Sequence, residues 1–315
     1  MRKFLLVLLL STLLLLCAQP VEKPGESAKE KLFDLNTLLN PKKLVDDTGY
    51  EIHAGTPKRI VSLAPSNTEI LFAISAGDRV VGVTDYCNYP PEVSEKRESG
   101  ELATIGGYST INIEKILALN PDLVIASYGN GLENIEYLRK QGLNVIAFDP
   151  KNITDVMKDI ILIGIATGNY DEAKNVVEEM AQKIESVWMK AKDKRKVKVA
   201  HIVWHDPIWV SGKNTFIDEV IEFAGGTNVF DFEGWKTISV EDLIAKNPEV
   251  IIVNSGSGMG GGKNVVYEWV LQDERLKSVD AVKNGRIYVI NADIISRPSY
   301  RLADAIEIVY SFLHS

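Results

Sequence analysis

Residues 107–125 read GYSTINIEKILALNPDLVI, and residues 234–252 repeat them as GWKTISVEDLIAKNPEVII. At a constant offset of 127 residues, eight of the nineteen positions are identical. Solenoid repeats recur about every 20–50 residues, so this longer offset indicates two copies of a whole lobe. Each copy has a glycine–aromatic pair before a predicted short helix and a glutamate in the first turn of that helix. The repetition predicts a ligand held between two lobes and a partner that touches both.

The aromatic residues of the two copies are Tyr108 and Trp235, and the glutamates are Glu114 and Glu241. Core packing is the commonest role of an aromatic side chain. Both aromatics, however, lie in turns outside the helical period, so we expect them to contact a ligand. A carboxylate in a first helical turn is stabilised by the helix dipole by roughly 0.3–1 kcal/mol without any partner. Because that accounts poorly for a glutamate at the same place in both copies, we expect Glu114 and Glu241 to contact a partner.

Short apolar runs alternate with predicted helices on either side of the first copy. Strands are predicted at residues 59–63, 80–83, 122–126 and 145–148, and helices at residues 112–119 and 132–141. This alternation indicates parallel sheets that helices cover on both faces. Ser66 and Glu69 have the spacing of a capping box, which places the start of a helix at the exit of the first strand. Ligands of such sheets bind beyond the carboxyl ends of the strands.

Residues 152–194 are predicted to be mostly helical, with an interruption near Gly168. A strand at 197–203, a loop at 204–212 and a helix at 216–224 are then predicted to open a second lobe. The predicted fold is therefore α/β, with two β/α lobes of parallel-type sheets joined by one long backbone helix. The predicted segments are a signal peptide (1–17), a tether (18–43), an N-terminal lobe (44–152), a linking helix (153–195) and a C-terminal lobe (196–315).

The first residues have the features of an export signal. Arg2 and Lys3 precede an apolar run at residues 4–16, which is too short for a comfortable membrane span. Cys17 stands where a bacterial lipoprotein signal is cut and acylated, although Leu16 replaces the small residue that this motif prefers. We expect lipid attachment at Cys17, with an uncleaved anchor or another cleavage point as the alternatives. In each case the folded part lies outside the cytoplasmic membrane, in the periplasm or at the cell surface.

Composition excludes several classes of function. The net charge of −8 is spread along the chain without a basic block, so nucleic acid is not expected as a partner. Apart from Cys17 there is one cysteine, Cys87, which cannot form an intramolecular disulfide. The chain has four histidines, too few for a receptor of bare zinc or manganese, and no metal site is predicted. His205 remains a candidate ligand of a metal that a bound molecule carries. No Ser–His–Asp set or acidic pair suggests an enzyme, which leaves catalysis on this scaffold a remote alternative.

Several motifs carry a family resemblance. They are RIVSLAPSNTE at residues 59–69, DYCNYPP at 85–91, IEKI at 113–116, NPDLV at 120–124 and SGK at 211–213. In this order they resemble the periplasmic binding proteins of cobalamin, haem and ferric-siderophore ABC importers, closest to the cobalamin-binding branch. The resemblance covers about residues 45–315. It implies two β/α lobes joined by one long helix, with the ligand lying in the cleft between the lobes.

The resemblance also implies particular residues and partners. The implied ligand-contacting aromatics are Tyr89, Tyr108, Tyr128, Trp235 and one of Trp204 and Trp209. Glu114 and Glu241 are the implied docking pair for arginines of an ABC permease dimer, which works with ATPase subunits. Cobalamin or another corrinoid is implied as transported ligand, not as a cofactor, and haem or a ferric siderophore is the alternative.

Two features are left open or explained otherwise. Arg297 and Arg301 either close the floor of the cleft or meet an anionic group of the ligand. The glycine-rich run at residues 256–264 fails the spacing of a phosphate-binding loop, because Ser257 and Asn264 stand where glycine and Ser or Thr are required. We expect this run to be a loop at the mouth of the cleft.

Overall fold

The computed structural model of this chain describes residues 32–255 and 264–315. The predicted signal peptide, Cys17 and all but the last residue of the glycine-rich run lie outside those residues. The strands are β1 (Ile60–Ser62), β2 (Val80–Val83), β3 (Ala103–Thr104), β4 (Leu123–Ser127), β5 (Val145–Phe148), β6 (Val197–His205), β7 (Ile208–Ser211), β8 (Gly226–Asn228), β9 (Trp235–Ile238), β10 (Val250–Ser255) and β11 (Ile287–Asn291).

Helices surround these strands. They are α1 (Leu35–Leu39), α2 (Pro65–Ala73), α3 (Pro91–Glu98), α4 (Ile113–Ala118), α5 (Leu132–Lys140), α6 (Ile153–Thr167), α7 (Tyr170–Ala191), α8 (Phe216–Phe223), α9 (Val240–Lys246), α10 (Val265–Gln272), α11 (Asp280–Lys283), α12 (Ala292–Ile295) and α13 (Leu302–His314). Within the described ranges, no helix combines the length and the apolar character that a membrane crossing requires.

The first sheet has the strand order β3-β2-β1-β4-β5, and every neighbouring pair is parallel. Its central strand β1 is fully buried, with Ile60, Val61 and Ser62 all at 0% exposure. A strand covered on both faces needs such a continuous run, because neither face meets water. The parallel sheet predicted for the first half of the chain is confirmed.

The second sheet has the order β11-β10-β6-β7-β9, with β8 paired to the start of β6. Strands β10, β11 and β8 run parallel to their neighbours, but β7 is antiparallel to both β6 and β9. The loop predicted at residues 204–212 is therefore wrong. Strand β6 continues to His205, and the chain turns at Asp206 and Pro207 and returns as β7. Because the polar turn residues interrupt the apolar pattern, the sequence did not indicate that this segment is a hairpin.

Two helices fill the segment between the sheets. Helix α6 ends at Gly168, which has the left-handed φ of 72° that glycine adopts without steric cost. The predicted interruption there is confirmed, and the 22-residue helix α7 follows. The helices pack closely at Gly164, where an added Cβ would lie 2.4 Å from the Cβ of Ala173. The linking segment thus consists of two packed helices, the longer of which leads into the second sheet.

Helix α2 begins at the exit of β1, as predicted, but without the predicted cap. Its N-cap is Ala64, which makes no side-chain capping bond, and Pro65 occupies the first helical turn. Proline suits that position because its fixed φ is already helical and its missing N–H would have no partner there. The capping box of Ser66 and Glu69 is therefore wrong. The Glu69 carboxylate is fully buried and has other partners.

The sequence repeat is also a structural repeat. Asn112 caps α4 by accepting from the Lys115 N–H at 3.0 Å, and Ser239, its counterpart, caps α9 by accepting from the Asp242 N–H at 3.1 Å. The apolar helix residues Ile116 and Leu243 are both fully buried, each against its own sheet. Each copy is therefore one helix–strand unit packed on its own core.

Candidate functional site

One candidate site is a cavity of about 660 Å³ at the carboxyl ends of strands from both sheets. Its walls follow β1, β2 and β4 in the first sheet and β11 in the second. They are formed by Pro65, Ser66, Asp85, Tyr86, Asn88, Arg97, Tyr108, Ser127, Ala292, Asp293, Ser296, Arg297 and Pro298. Ligand sites in α/β sheets form at this edge, because the loops that leave the strands converge there.

A second cavity of about 300 Å³ adjoins the first and shares Tyr108, Ser127, Ser296 and Pro298 with it. Its other walls are Asp149, Pro150, Lys151, Asn214, Thr215, Phe216, Gly234 and Trp235. We call the two cavities together the cleft. Because residues of both sheets line each cavity, a ligand in the cleft would contact both halves of the chain.

The two aromatics of the repeat meet in the cleft. Tyr108 and Trp235 both line the second cavity, and Tyr108 remains 37% exposed. The Tyr108 hydroxyl is 2.7 Å from the Ser127 Oγ, and the ring lies so close to Gly129 that an added Cβ would stand 2.2 Å from it. Trp235 packs edge-on against Phe216, with ring centroids 6.1 Å apart. Both rings are thus held in place with surface left for a ligand.

The structure places the other aromatics elsewhere. The hydroxyl of Tyr128 donates to the Asp47 carbonyl at 2.7 Å, and Trp204 Nε1 donates to the Asp206 carbonyl at 3.0 Å. The ring of Tyr89 lies 3.8 Å from the guanidinium carbon of Arg301. Tyr89, Tyr128, Trp204 and the exposed Trp209 are not among the residues that line either cavity. Their contact with a ligand stays a prediction.

Glu69 forms a buried ionic cluster beneath the cleft. Its Oε1 accepts from Arg297 Nη1 at 2.9 Å and Arg301 Nη1 at 3.1 Å, and its Oε2 accepts from Ser299 Oγ at 2.6 Å. Burial raises the pKa of the Glu69 carboxyl above its usual value, although the hydrogen bonds from Ser299 and Arg297 oppose that rise. The cluster ties α2 to the segment before α13. Sequence analysis missed it because the partners of Glu69 lie about 230 residues away.

A second set of polar bonds reaches the cleft wall. Arg297 also pairs with Asp293 at 2.8 Å and donates to Asn88 Oδ1 at 2.7 Å, while Asn88 Nδ2 donates to Asp293 at 2.9 Å. Arg297 thus lines the first cavity with its charge matched by Glu69 and Asp293, and Arg301 lies below it, 8% exposed. Arg301 is not among the residues that line either cavity, and whether the two arginines close the floor or meet an anionic ligand group stays open.

The two histidines near β6 have different surroundings. His201 is fully buried between Ser211 Oγ at 3.0 Å and Asn254 Oδ1 at 2.9 Å, and burial lowers its pKa to about 4. The ring centroid of His205 lies 4.8 Å from that of Trp204 and 6.0 Å from that of Trp269. Across residues 32–255 and 264–315, no three His, Cys, Asp or Glu side chains are grouped so that they could hold a metal ion.

The glutamates of the repeat stand outside the cleft lining. Glu114 and Glu241 are exposed and occupy the first turns of α4 and α9. Neither takes part in an ion pair within the described part of the chain. Both carboxylates therefore remain accessible to an external partner, as the docking prediction requires.

Known proteins share both the sequence and the fold. The Periplasmic binding protein family matches residues 60–294. An uncharacterised ABC transporter substrate-binding lipoprotein of Bacillus subtilis, YvrC, is 30% identical over 311 residues, which cover 96% of this chain and 93% of that protein.

Two solved structures are similar as well. The periplasmic vitamin B12-binding protein BtuF of Vibrio cholerae has a TM-score of 0.68 and 28% identity, covering 82% of this chain and 96% of that one. The periplasmic haem-binding protein RhuT of Roseiflexus sp. RS-1 has a TM-score of 0.71 and 28% identity, covering 82% and 98%. The predicted fold and the resemblance are confirmed, and the chain belongs to the periplasmic binding protein family.

Proposed function

We propose that this protein is the substrate-binding component of an ABC importer and that it carries a corrinoid such as cobalamin. The role as substrate-binding component rests on family membership and on the ABC transporter relative that matches nearly the whole chain. The similar proteins named above are described as binding proteins, and we propose a binding role without catalysis for this chain too. The finer part, the ligand, rests on the chemistry of the cleft.

One observation carries the corrinoid proposal: the charges of the cleft walls are balanced. The acidic residues Asp85, Asp149 and Asp293 face the basic residues Arg97, Lys151 and Arg297. Arg297 is already paired with two carboxylates, and Lys151 pairs with Asp149 at 2.6 Å. Haem and many ferric siderophores are anionic, and a site for them gains from unpaired cations. A balanced cleft favours a large ligand without strong net charge.

The aromatics and the amides of the cleft fit the same ligand. Tyr108 and Trp235 offer apolar surface to a broad, flat ring system, and rings of this size each bury ~150–250 Å² on contact. Asn88 and Asn214 add amide groups, which donate and accept hydrogen bonds. Cobalamin presents both chemistries, since a flat corrin ring carries amide side chains around its edge.

Binding to a ligand panel tests the proposal. Purified protein would be mixed separately with cyanocobalamin, haemin and a ferric catecholate siderophore, passed through gel filtration and scanned for co-eluting ligand absorption. We expect cyanocobalamin to co-elute at one per chain, with a nanomolar Kd in calorimetry. Binding of haemin or the siderophore without cyanocobalamin would overturn the corrinoid proposal and leave the family assignment intact.

Haem is the second candidate because of His205. Its Nδ1 has no hydrogen-bond partner within the described residues, but the atom is buried and His205 lines neither cavity, so binding an iron would require the ring to turn toward the cleft. The similarity to the haem-binding protein RhuT favours the same candidate. If haemin binds, its Soret band should shift in the His205→Ala variant. An unchanged spectrum would exclude His205 as the axial ligand.

Membrane attachment belongs to the same proposal. An importer's binding protein must stay near its permease, and a lipid on Cys17 would keep it there. In membrane fractions of the native host we expect the chain to lose its anchor in the Cys17→Ser variant. Mass spectrometry of the mature N-terminus would identify the lipid, and a mature chain that starts elsewhere would contradict the proposal.

A further inference from the structure

A buried chain of hydrogen bonds crosses the second sheet and ends at the cleft. Ser211 Oγ lies 3.0 Å from His201 Nδ1, and His201 Nε2 lies 2.9 Å from Asn254 Oδ1. Asn254 Nδ2 then donates to Ser296 Oγ at 3.0 Å. The first three side chains are at most 1% exposed, whereas Ser296 is half-buried and lines both cavities. Ser296 is therefore the member of this hydrogen-bond chain that a ligand in the cleft can contact.

The chain has a defined direction of donation. The Asn254 Oδ1 is only an acceptor, so His201 Nε2 carries the proton. His201 is neutral, because burial lowers its pKa to about 4, and its Nδ1 is then an acceptor that takes the proton of Ser211. At the other end the amide of Asn254 donates, so Ser296 Oγ accepts and its own hydroxyl proton is free to point elsewhere.

We propose that the Ser296 hydroxyl donates a hydrogen bond to an acceptor oxygen of the ligand, and that His201 and Asn254 are positioning residues that hold Ser296 in this donor state. The proposal rests on the ligand cleft of the proposed function and narrows its ligand class. The group that takes the Ser296 proton is an acceptor, such as the carbonyl oxygen of an amide. A ligand that presents only an N–H here would donate to the second lone pair of the Ser296 Oγ and would leave the hydroxyl proton without an acceptor.

The geometry distinguishes a ligand-donating role of Ser296 from a purely structural role of these buried polar residues. Buried polar side chains cost free energy unless they are hydrogen-bonded, and a structural set would satisfy itself internally. Within the described residues, the Ser296 hydroxyl proton finds no acceptor in this set, and it stands at the wall that both cavities share. A fixed donor loses little freedom when a ligand binds, so it discriminates between ligands better than a hydroxyl that rotates.

A double-mutant cycle tests the proposal, with cyanocobalamin as the probe and calorimetry as the readout. Ser296→Ala should weaken binding about 3- to 12-fold, the value of one net hydrogen bond. Asn254→Asp replaces the donor by an acceptor, which turns the Ser296 proton away from the cleft, and should cost a similar factor. The two changes together should cost no more than either alone, because each removes the same hydrogen bond.

Two further variants keep the test decisive. His201→Gln retains a donor toward Asn254, so affinity should stay within about twofold. If Asn254→Asp does not fold, Asn254→Ala, which also removes the donor to Ser296, takes its place in the cycle. Ser255→Ala, on the neighbouring position of β10, removes a hydroxyl outside the cleft lining and should leave affinity unchanged. Thermal unfolding of each variant reports folding separately.

The outcomes distinguish this inference from the proposed function. If the wild-type protein does not bind cyanocobalamin, the ligand assignment fails, and the cycle is repeated with the panel ligand that does bind. If the wild-type protein binds but Ser296→Ala keeps full affinity, the donor role is overturned. Additive losses from the Ser296 and Asn254 changes would equally overturn the positioning role.

Discussion

The two copies of the repeated segment agree where they build backbone and differ where they face the cleft. In both, an asparagine with left-handed φ ends the helix, Asn120 at 45° and Asn247 at 42°, and a proline follows. Asparagine tolerates this conformation better than most residues, and proline prevents the helix from continuing. The identical Asn-Pro pairs are thus explained by chain geometry alone.

The carboxylate residue that follows each proline accepts backbone hydrogen bonds from a neighbouring strand or the residues just before it. Asp122 accepts from the backbone N–H groups of Lys58 and Arg59, both at 2.8 Å, just before β1. Glu249 accepts from the Lys198 N–H at 2.9 Å in β6. The two lobes therefore use the same acidic position to hold a central strand.

The cleft-facing ends of the two copies have diverged. Trp235 opens β9, which pairs with the antiparallel strand β7, whereas Tyr108 lies in a turn outside the first sheet's strands. Tyr108 is fixed by Ser127 and Trp235 by Phe216. A ligand between two such walls meets a different surface on each side. Positions that are the same in both copies maintain the backbone of each lobe, whereas positions that differ between the copies give the cleft its two different walls.

The largest effect is expected where the copies should act together, at Glu114 and Glu241. We predict that replacing both by Ala lowers transport more than about tenfold, because two carboxylate–guanidinium contacts with a permease would be lost. Neither glutamate lines the cleft, so Kd for cyanocobalamin should not change. Uptake and stimulated ATPase activity in proteoliposomes measure the effect.

The single variants sharpen this comparison. Each single change removes one of the two expected contacts with the permease, so Glu114→Ala and Glu241→Ala should each lower transport less than the double change. Transport that survives the double change would reduce both glutamates to helix-start residues, and lost ligand binding would place them in the cleft.

The second-largest effect is expected on ligand affinity, at the two aromatics that differ between the copies, Tyr108 and Trp235. Trp235→Ala should weaken ligand binding at least about tenfold, because a tryptophan buries a large apolar area at ~25 cal/mol per Å². Tyr108→Ala should cost somewhat less, since the ring is smaller. Tyr108→Phe serves as the matched control: it keeps the ring, loses the bond to Ser127 and should change Kd by less than about threefold. An unchanged Kd in Trp235→Ala would assign Trp235 to packing.

The strand-fastening carboxylates should differ in stability. Asp122→Ala loses two charge-assisted bonds to backbone and should lower the free energy of unfolding by about 2 kcal/mol. Glu249→Ala loses one such bond and an exposed ion pair with Arg195, so about 1 kcal/mol is expected. Denaturant unfolding of both variants measures the difference. Equal losses would mean that the number of backbone bonds does not set the effect.

Acid titration distinguishes Glu249 further. Burial opposes the shift, but the hydrogen bonds from Lys198 and Arg195 prevail and lower the pKa of Glu249 below its usual 4.5. The stabilisation from this group is therefore present above pH 4.5 and is lost as the pH falls through the lowered pKa. Glu249→Gln should flatten the acid side of the stability curve in that window, and an unchanged curve would contradict the assignment.

The sequence predicted the fold further than it predicted the site. The repeat, the alternation of strands and helices and the break at Gly168 depend on local patterns, and the structure confirms them. The β6–β7 hairpin was missed because its turn, Asp206 and Pro207, breaks the apolar pattern between the strands. Glu69 was misread because a capping box is a short-range pattern, while its ionic partners come from the far end of the chain. The His201 chain was invisible for the same reason, since it joins three strands and the segment after α12.

The smallest expected effect comes from the two left-handed asparagines. Asn247 makes two side-chain bonds with Asp280, donating to its carboxylate at 2.9 Å and accepting from its N–H at 2.9 Å. Asn120 is exposed and makes no comparable bond in the described structure. Asn120→Gly should therefore change the free energy of unfolding by less than about 0.5 kcal/mol, because glycine adopts this φ without strain. Asn247→Gly should lower it by about 1–2 kcal/mol for the lost bonds.

Alanine gives the matched control for both positions. It has no partner for Asp280 and resists left-handed φ, so Asn120→Ala should cost about 1 kcal/mol and Asn247→Ala more than Asn247→Gly. Denaturant unfolding resolves these differences when the four variants are measured together. If glycine is as costly at Asn120 as at Asn247, the side chain of Asn120 makes a stabilising contact of its own, comparable to that of Asn247 with Asp280.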